Sequence, residues 1–259
     1  MAGAIITGAS SGIGQALGRE LAGRGWDLGL AARRMETLRA LADDLAGQHP
    51  GRRVLVRALD VTDTDAVRTT VQELFSELGN VELVIANAGI GGKHRVGAGQ
   101  LAGARDIIMT NLLGAIATVD AAVECWRAEG GGAGPRRIVG ITSVAGFRGF
   151  PGSAAYSASK AGLATYLEAV RGEVRGLGID VIDLAPGYID TPINQDVRSR
   201  PFLIDVADGA RRIADLIERN VYRSAVPAWP WNVIGWLMRR VPDALWVRLG
   251  GAAHRGGDR

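Results

Sequence analysis

Tyr156 and Lys160 stand four residues apart in Tyr156-Ser157-Ala158-Ser159-Lys160. On a helix this spacing puts both side chains on one face, so an ammonium can lie beside a phenol oxygen. The lysine is conspicuous in a chain that writes nearly every cation as arginine, with 28 Arg against Lys93 and Lys160. A point charge on a flexible stem can hold a phenol and still reach other hydroxyls, which a planar guanidinium fork cannot easily do. A cation so placed favours the ionised phenol.

The elements that must position this pair are legible in the apolar pattern. Short apolar runs at 2–6, 27–32, 54–59, 81–86, 137–142, 179–184 and 223–226 alternate with longer stretches at 12–24, 35–47, 63–78, 101–127, 154–177 and 206–218. The runs are short and mainly apolar rather than alternating, as expected when helices cover both faces of a parallel sheet. Repeated β-α units with right-handed crossovers predict a single α/β Rossmann-type doubly wound domain of about seven strands, ordered 3-2-1-4-5-6-7. No linker or change of composition divides the chain before about residue 228, so 1–228 is read as the catalytic domain and 229–259 as an extension.

The first apolar run leads directly into Thr7-Gly8-Ala9-Ser10-Ser11-Gly12-Ile13-Gly14. Glycines at a strand–loop–helix junction permit a tight turn and bring bare backbone N–H groups against a pyrophosphate at a helix N-terminus. The spacing differs from the Gly-x-Gly-x-x-Gly fingerprint, and the strand–loop–helix context carries the reading. Further along come Asn87-Ala88-Gly89, Ser143 thirteen residues before Tyr156, and Pro186-Gly187 followed by Thr191.

In this order, over roughly residues 2 to 225, these motifs resemble the short-chain dehydrogenase/reductase superfamily. The resemblance implies that Tyr156 is the general acid/base at the substrate oxygen and that Lys160 tunes it and holds the nicotinamide ribose. A tyrosine near pKa 10 working at neutrality needs roughly 4 kcal/mol, which one ammonium about 4 Å away at an effective dielectric near 20 supplies. The resemblance also makes Ser143 the group that holds the carbonyl oxygen, and Asn111 the anchor of a water linking Lys160 to solvent. Gly8, Ser10, Ser11, Gly12, Ile13 and Gly14 would cradle the dinucleotide. Asp60 and Val61 would border its adenine, and Asn87, Ala88 and Gly89 would follow the fourth strand. Pro186, Gly187, Ile189 and Thr191 would close over the nicotinamide. Family members commonly read Asn-Asn-Ala-Gly where this chain has Ala86-Asn87-Ala88-Gly89, which removes a loop brace and leaves the cofactor contact at Asn87. Asp63 is read as the cap of the next helix.

Cofactor choice is read at the end of the second run. An NAD enzyme would place an acid there, and this chain has Leu30-Ala31-Ala32-Arg33-Arg34. Small residues leave room for a 2′-phosphate that an arginine grips with two bonds. NADP(H) is expected over NAD(H), with Arg33 the clamp and Arg34 second.

Bulk properties exclude other classes. A net charge of +3 with scattered basic residues gives no nucleic-acid groove. Cys125 is the single cysteine, so no internal disulfide forms and a reducing cytoplasm is expected. No secretory leader is read at the N-terminus, and no uninterrupted apolar run reaches the roughly 18 residues of a membrane span. His49, His94 and His254 are too dispersed for a metal site. The 91–95 loop is read as solvated, near the cleft mouth, and Ile193 and Phe202 suggest an apolar lid.

Trp229, Trp231, Trp236 and Trp246 concentrate in the C-terminal segment among Arg239, Arg240 and Arg248. Such a stretch can cover the substrate pocket, contact a neighbouring subunit or lie peripherally on a membrane; the last ten residues read as disordered. The expected activity is interconversion of a hydrophobic ketone or aldehyde and its alcohol in a homodimer or homotetramer. A 3-ketoacyl-thioester reductase and a non-catalytic NADP(H) sensor are the alternatives.

Overall fold

The computed structural model describes residues 1–92, 96–130, 134–195, 197 and 199–246. The reading of Lys93, His94 and Arg95 in the 91–95 loop, and that of the last ten residues, lie outside them.

Seven strands form one parallel sheet: β1 (Gly3–Thr7), β2 (Asp27–Ala32), β3 (Val54–Ala58), β4 (Val81–Ala86), β5 (Arg136–Ile141), β6 (Ile179–Pro186) and β7 (Arg223–Val226). The order is β3-β2-β1-β4-β5-β6-β7, as expected from the alternating pattern. β1 therefore lies between β2 and β4, and the crevice where the strand order reverses opens beyond its carboxyl end.

Helices α1 (Gly12–Gly23), α2 (Met35–Gln48) and α7 (Val206–Glu218) cover one face, burying Leu17, Leu41 and Ile213 against the sheet. Helices α3 (Thr64–Leu78), α5 (Gly114–Ala128) and α6 (Ala154–Val174) cover the other, burying Leu74, Trp126 and Leu167. Asp63 caps α3 by accepting from Ala66 N at 3.0 Å, as its position predicts. Gly79, at φ 78°, ends that helix in the left-handed conformation that costs glycine least.

The stretch read as one helix over 101–127 divides into α4 (Leu101–Ile108), a π-helical turn (Met109–Leu113) and α5. By length and composition Leu101–Ala128 could cross a bilayer, against the sequence reading, but half of its apolar window is buried inside the fold. Its apolarity is that of a core helix. A further helix, α8 (Ala228–Met238), follows β7 and folds back over the carboxyl end of the sheet, where Trp231 joins Val144 and Ala225 in a small core. Trp229 and Trp236 on its outer side are exposed.

Candidate active site

The loop after β1 is built around close backbone approach. Gly8 has φ 71°, and a Cβ there would meet Ala88 Cα at 2.7 Å; one on Gly14 would meet the Gly8 carbonyl at 2.5 Å and Asn87 Nδ2 closer still. Only glycine lets the start of α1 press against β4 in this way. Ser11, the N-cap of α1, makes no side-chain capping bond. The first N–H groups of that helix thus border a cavity of about 540 Å³ lined by Ser11, Gly12 and Ile13.

The same cavity is walled by Gly8, Ser10, Arg33, Arg34, Asp60, Val61, Asn87, Ala88, Gly89, Lys160 and Thr191, all expected at the dinucleotide. It runs from the two arginines at one end to Lys160 at the other. Ile193 also lines it. Gly14, Pro186, Gly187 and Ile189 are not in its wall. Gly14 acts by packing beneath Asn87. Pro186 ends β6, and its carbonyl accepts from Ser143 Oγ at 3.5 Å. Ile189 points into the core, since α7 presents Gly209 to it.

The two arginines differ. Arg34 is braced on the glycine loop, donating from Nε to Ser10 Oγ and from a terminal nitrogen to Ser10 O, both at 3.2 Å. The Arg33 side chain is 68% exposed and stands 4.0 Å from Asp60. Asp60 accepts from Thr62 N at 3.0 Å and Thr62 Oγ1 at 2.9 Å, which with Arg33 nearby holds its carboxyl below the usual range.

Asn87 also has a structural role. Its Nδ2 donates to Thr7 O at 2.9 Å and Gly8 O at 3.3 Å, so the amide itself braces β1 to β4 while the residue lines the cavity. Asn111 likewise works as a clamp. It accepts from Ile90 N at 2.8 Å and donates to Ile90 O at 2.9 Å and to Ser159 Oγ at 3.3 Å. This fully buried amide sits in the π turn, where the altered ladder gives it room to reach across to Ile90.

Tyr156 and Lys160 both lie on α6, as their spacing requires. A Cβ on Gly89 would lie 3.4 Å from both Lys160 Nζ and Asn111 Oδ1, so both side chains border this glycine just past the end of β4. Lys160 is 4% exposed, and its Nζ donates to Ile141 O at 2.8 Å. Burial pulls the ammonium down to about 8, opposed by the negative charge of Asp183. For Tyr156 burial pushes the phenol up, hydrogen bonding with Ser143 opposes it, and Tyr188 adds to the rise. The expectation that Lys160 holds the phenol near neutrality is thus not met in this arrangement. Burial outweighs the helpers, and the ammonium is engaged by the Ile141 carbonyl. Ser143 also accepts from Ala145 N at 3.1 Å, which fixes its rotamer at the end of β5.

One feature escaped sequence reasoning, and another was named there without its contacts. Asp183 is a carboxylate inside the apolar run of β6, and that interruption was a visible signal. Trp231, 6% exposed, seats its indole against Gly187, where a Cβ would come within 2.7 Å of the ring. It meets Tyr188 at 6.0 Å and Phe202 edge-on at 5.8 Å between centroids, and its Nε1 is buried without a hydrogen-bond partner. Arg148 secures α8 by donating to Met238 O at 2.6 Å and by contacts with Val241 O and Asp243.

A seven-stranded parallel sheet with a glycine loop after its first strand has counterparts among known proteins. The family model described as short chain dehydrogenase matches residues 2–201. An uncharacterized oxidoreductase of Mycobacterium tuberculosis is 39% identical over 246 residues, covering 95% of this chain and 96% of that protein. A 3-oxoacyl-[acyl-carrier-protein] reductase of Bos taurus is 35% identical over 192 residues, covering 74% of this chain and 77% of that protein. An alcohol dehydrogenase from the archaeon Thermococcus sibiricus, solved with 5-hydroxy-NADP, superposes with a TM-score of 0.77 at 26% identity, covering 87% of this chain and 94% of the other. The chain belongs to the short-chain dehydrogenase family and is an oxidoreductase.

Proposed function

We propose that this enzyme interconverts a hydrophobic ketone or aldehyde and its alcohol with NADP(H), Tyr156 acting as general acid/base. The observation that carries the reading is the cavity itself: it joins Arg33 and Arg34, with no acid at the end of β2, to the Lys160 ammonium. A dinucleotide fits the bare N-terminus of α1 and the surfaces kept open by Gly8 and Gly14. Bound there, it supplies or accepts the hydride at the substrate carbon.

The chain's own residues do the rest. Ser143 orients the substrate oxygen and stabilises charge on it. The Tyr156 phenol gives a proton to that oxygen in reduction and takes it back in oxidation. Lys160, four residues along α6 from the phenol, is anchored by the Ile141 carbonyl, and Asn111 braces the adjoining Ile90 backbone. Arg33, exposed and loosely paired, is free to turn onto a 2′-phosphate, while Arg34 keeps Ser10 in place. Trp231, Tyr188 and Phe202 supply an apolar wall, with α8 as the pocket cover in preference to a subunit or membrane contact.

The similarity to a 3-oxoacyl reductase favours one second reading, reduction of a ketoacyl thioester. The aromatic cover from α8 argues for smaller substrates. A panel of aryl and alkyl ketones, aldehydes and acetoacetyl-CoA, followed by NADPH absorbance, separates the two. Turnover of the thioester alone overturns the first reading, and dinucleotide binding without turnover of any substrate supports a sensor. A cytoplasmic site and a homodimer or homotetramer complete the proposal. Cys125, the single cysteine, is in keeping with the first.

A further inference from the structure

Asp183 is 2% exposed in β6, paired in register with Gly140 of β5 and Arg223 of β7. A buried carboxylate is costly unless its oxygens are satisfied and its charge is compensated. Thr142 Oγ1 donates to its Oδ1 at 2.6 Å, and Arg223 Nε lies 3.0 Å from its Oδ2. Thr142 stands between the two residues that touch the candidate catalytic side chains. On one side the Ile141 carbonyl receives Lys160 Nζ, and on the other Ser143 partners the Tyr156 phenol. Position 142 therefore joins both partners through the backbone, and the carboxylate holds its hydroxyl.

We propose that Asp183 is a positioning residue for this site: through Thr142 it fixes the end of β5, and its carboxylate is the buried anion facing the Lys160 ammonium. The inference rests on the roles proposed above for Tyr156 and Lys160. The charged groups around the carboxylate come from three sides. Lys160 and Arg171 face it from α6, Arg223 from β7, and Arg239 from the end of α8. Glu168 of α6 stands 3.9 Å from Arg223 and shares that cation. Burial raises the Asp183 carboxyl, Thr142, Arg223, Arg171 and Arg239 oppose that rise, and its charge in turn opposes the burial that drives the proton off Lys160.

The test separates charge from shape. Asp183→Asn keeps an acceptor for Thr142 and removes the anion. Without it the Lys160 ammonium is lost at lower pH, so the alkaline limb of kcat/KM should move down by about half a unit or more. KM for NADPH and the thermal midpoint measure any wider damage, and a purely structural role would leave the limb in place. An alkaline limb superimposable on that of the wild type overturns the charge role. Thr142→Val removes the link and keeps the carboxylate; kcat lower by about tenfold with dinucleotide binding retained supports positioning, and unchanged kcat overturns it. This variant carries the test if Asp183→Asn does not fold. Tyr156→Phe is assayed alongside: retained turnover there defeats the underlying assignment, whereas its loss beside an unmoved limb defeats the inference alone.

Discussion

The Lys160 ammonium donates to the Ile141 carbonyl at 2.8 Å, tying the middle of α6 to the end of β5. Burial in that position lowers the group from 10.5 to about 8. Well below pH 8 folded and unfolded chains both hold the proton, and the folded state bears the whole cost of the buried charge. Between 8 and 10.5 only the unfolded chain keeps the proton, so the cost fades, and above 10.5 it is gone. The shift corresponds to about 3 kcal/mol. Lys160→Met, measured by urea unfolding across this window, should lose about that much stability relative to wild type between pH 8 and 10.5. Parallel curves would mean that Lys160 is not depressed.

Tyr156→Phe removes the exchangeable proton and keeps the ring. Turnover should fall by at least about a hundredfold, while NADPH affinity, read by quenching or fluorescence transfer, changes little. Comparable activity would move the acid/base elsewhere.

Arg33→Ala removes the exposed guanidinium at the end of β2. KM for NADPH should rise by about tenfold or more, in keeping with the loss of a charge-assisted bond, and KM for NADH should barely change. An equal effect on both would assign the phosphate clamp to another residue.

Trp231→Ala empties the small core that holds α8 over Gly187. Truncating a buried tryptophan costs about 3–5 kcal/mol, so the thermal midpoint should drop clearly. KM for a bulky apolar ketone should rise with NADPH binding retained, as kinetics and calorimetry can show. Unchanged kinetics in a destabilised variant would leave α8 a purely structural element.

Much of the fold was legible because its signals are local. The seven apolar runs and the helices between them were readable, since burial on both faces of a parallel sheet leaves a direct mark on composition. The 101–127 stretch was read as one helix because its composition is continuous. The π turn inside it serves Asn111, whose partner Ile90 lies 21 residues away. Asn87 was assigned to the cofactor from its motif, yet the direction of its amide depends on Thr7 and Gly8, 80 and 79 residues earlier.

The sequence by itself determined the β-α alternation, the glycine loop, the absence of an acid after β2 and the common face of Tyr156 and Lys160. Each of these is a matter of spacing within a few residues. Only the tertiary structure decided what those groups touch: the carbonyl that holds Lys160, the carboxylate that grips Thr142, and the indole that closes on Gly187. Contacts such as Arg148 to the Met238 carbonyl join residues 90 apart. No local period encodes such pairs, because they exist only once the sheet has brought its carboxyl edge together.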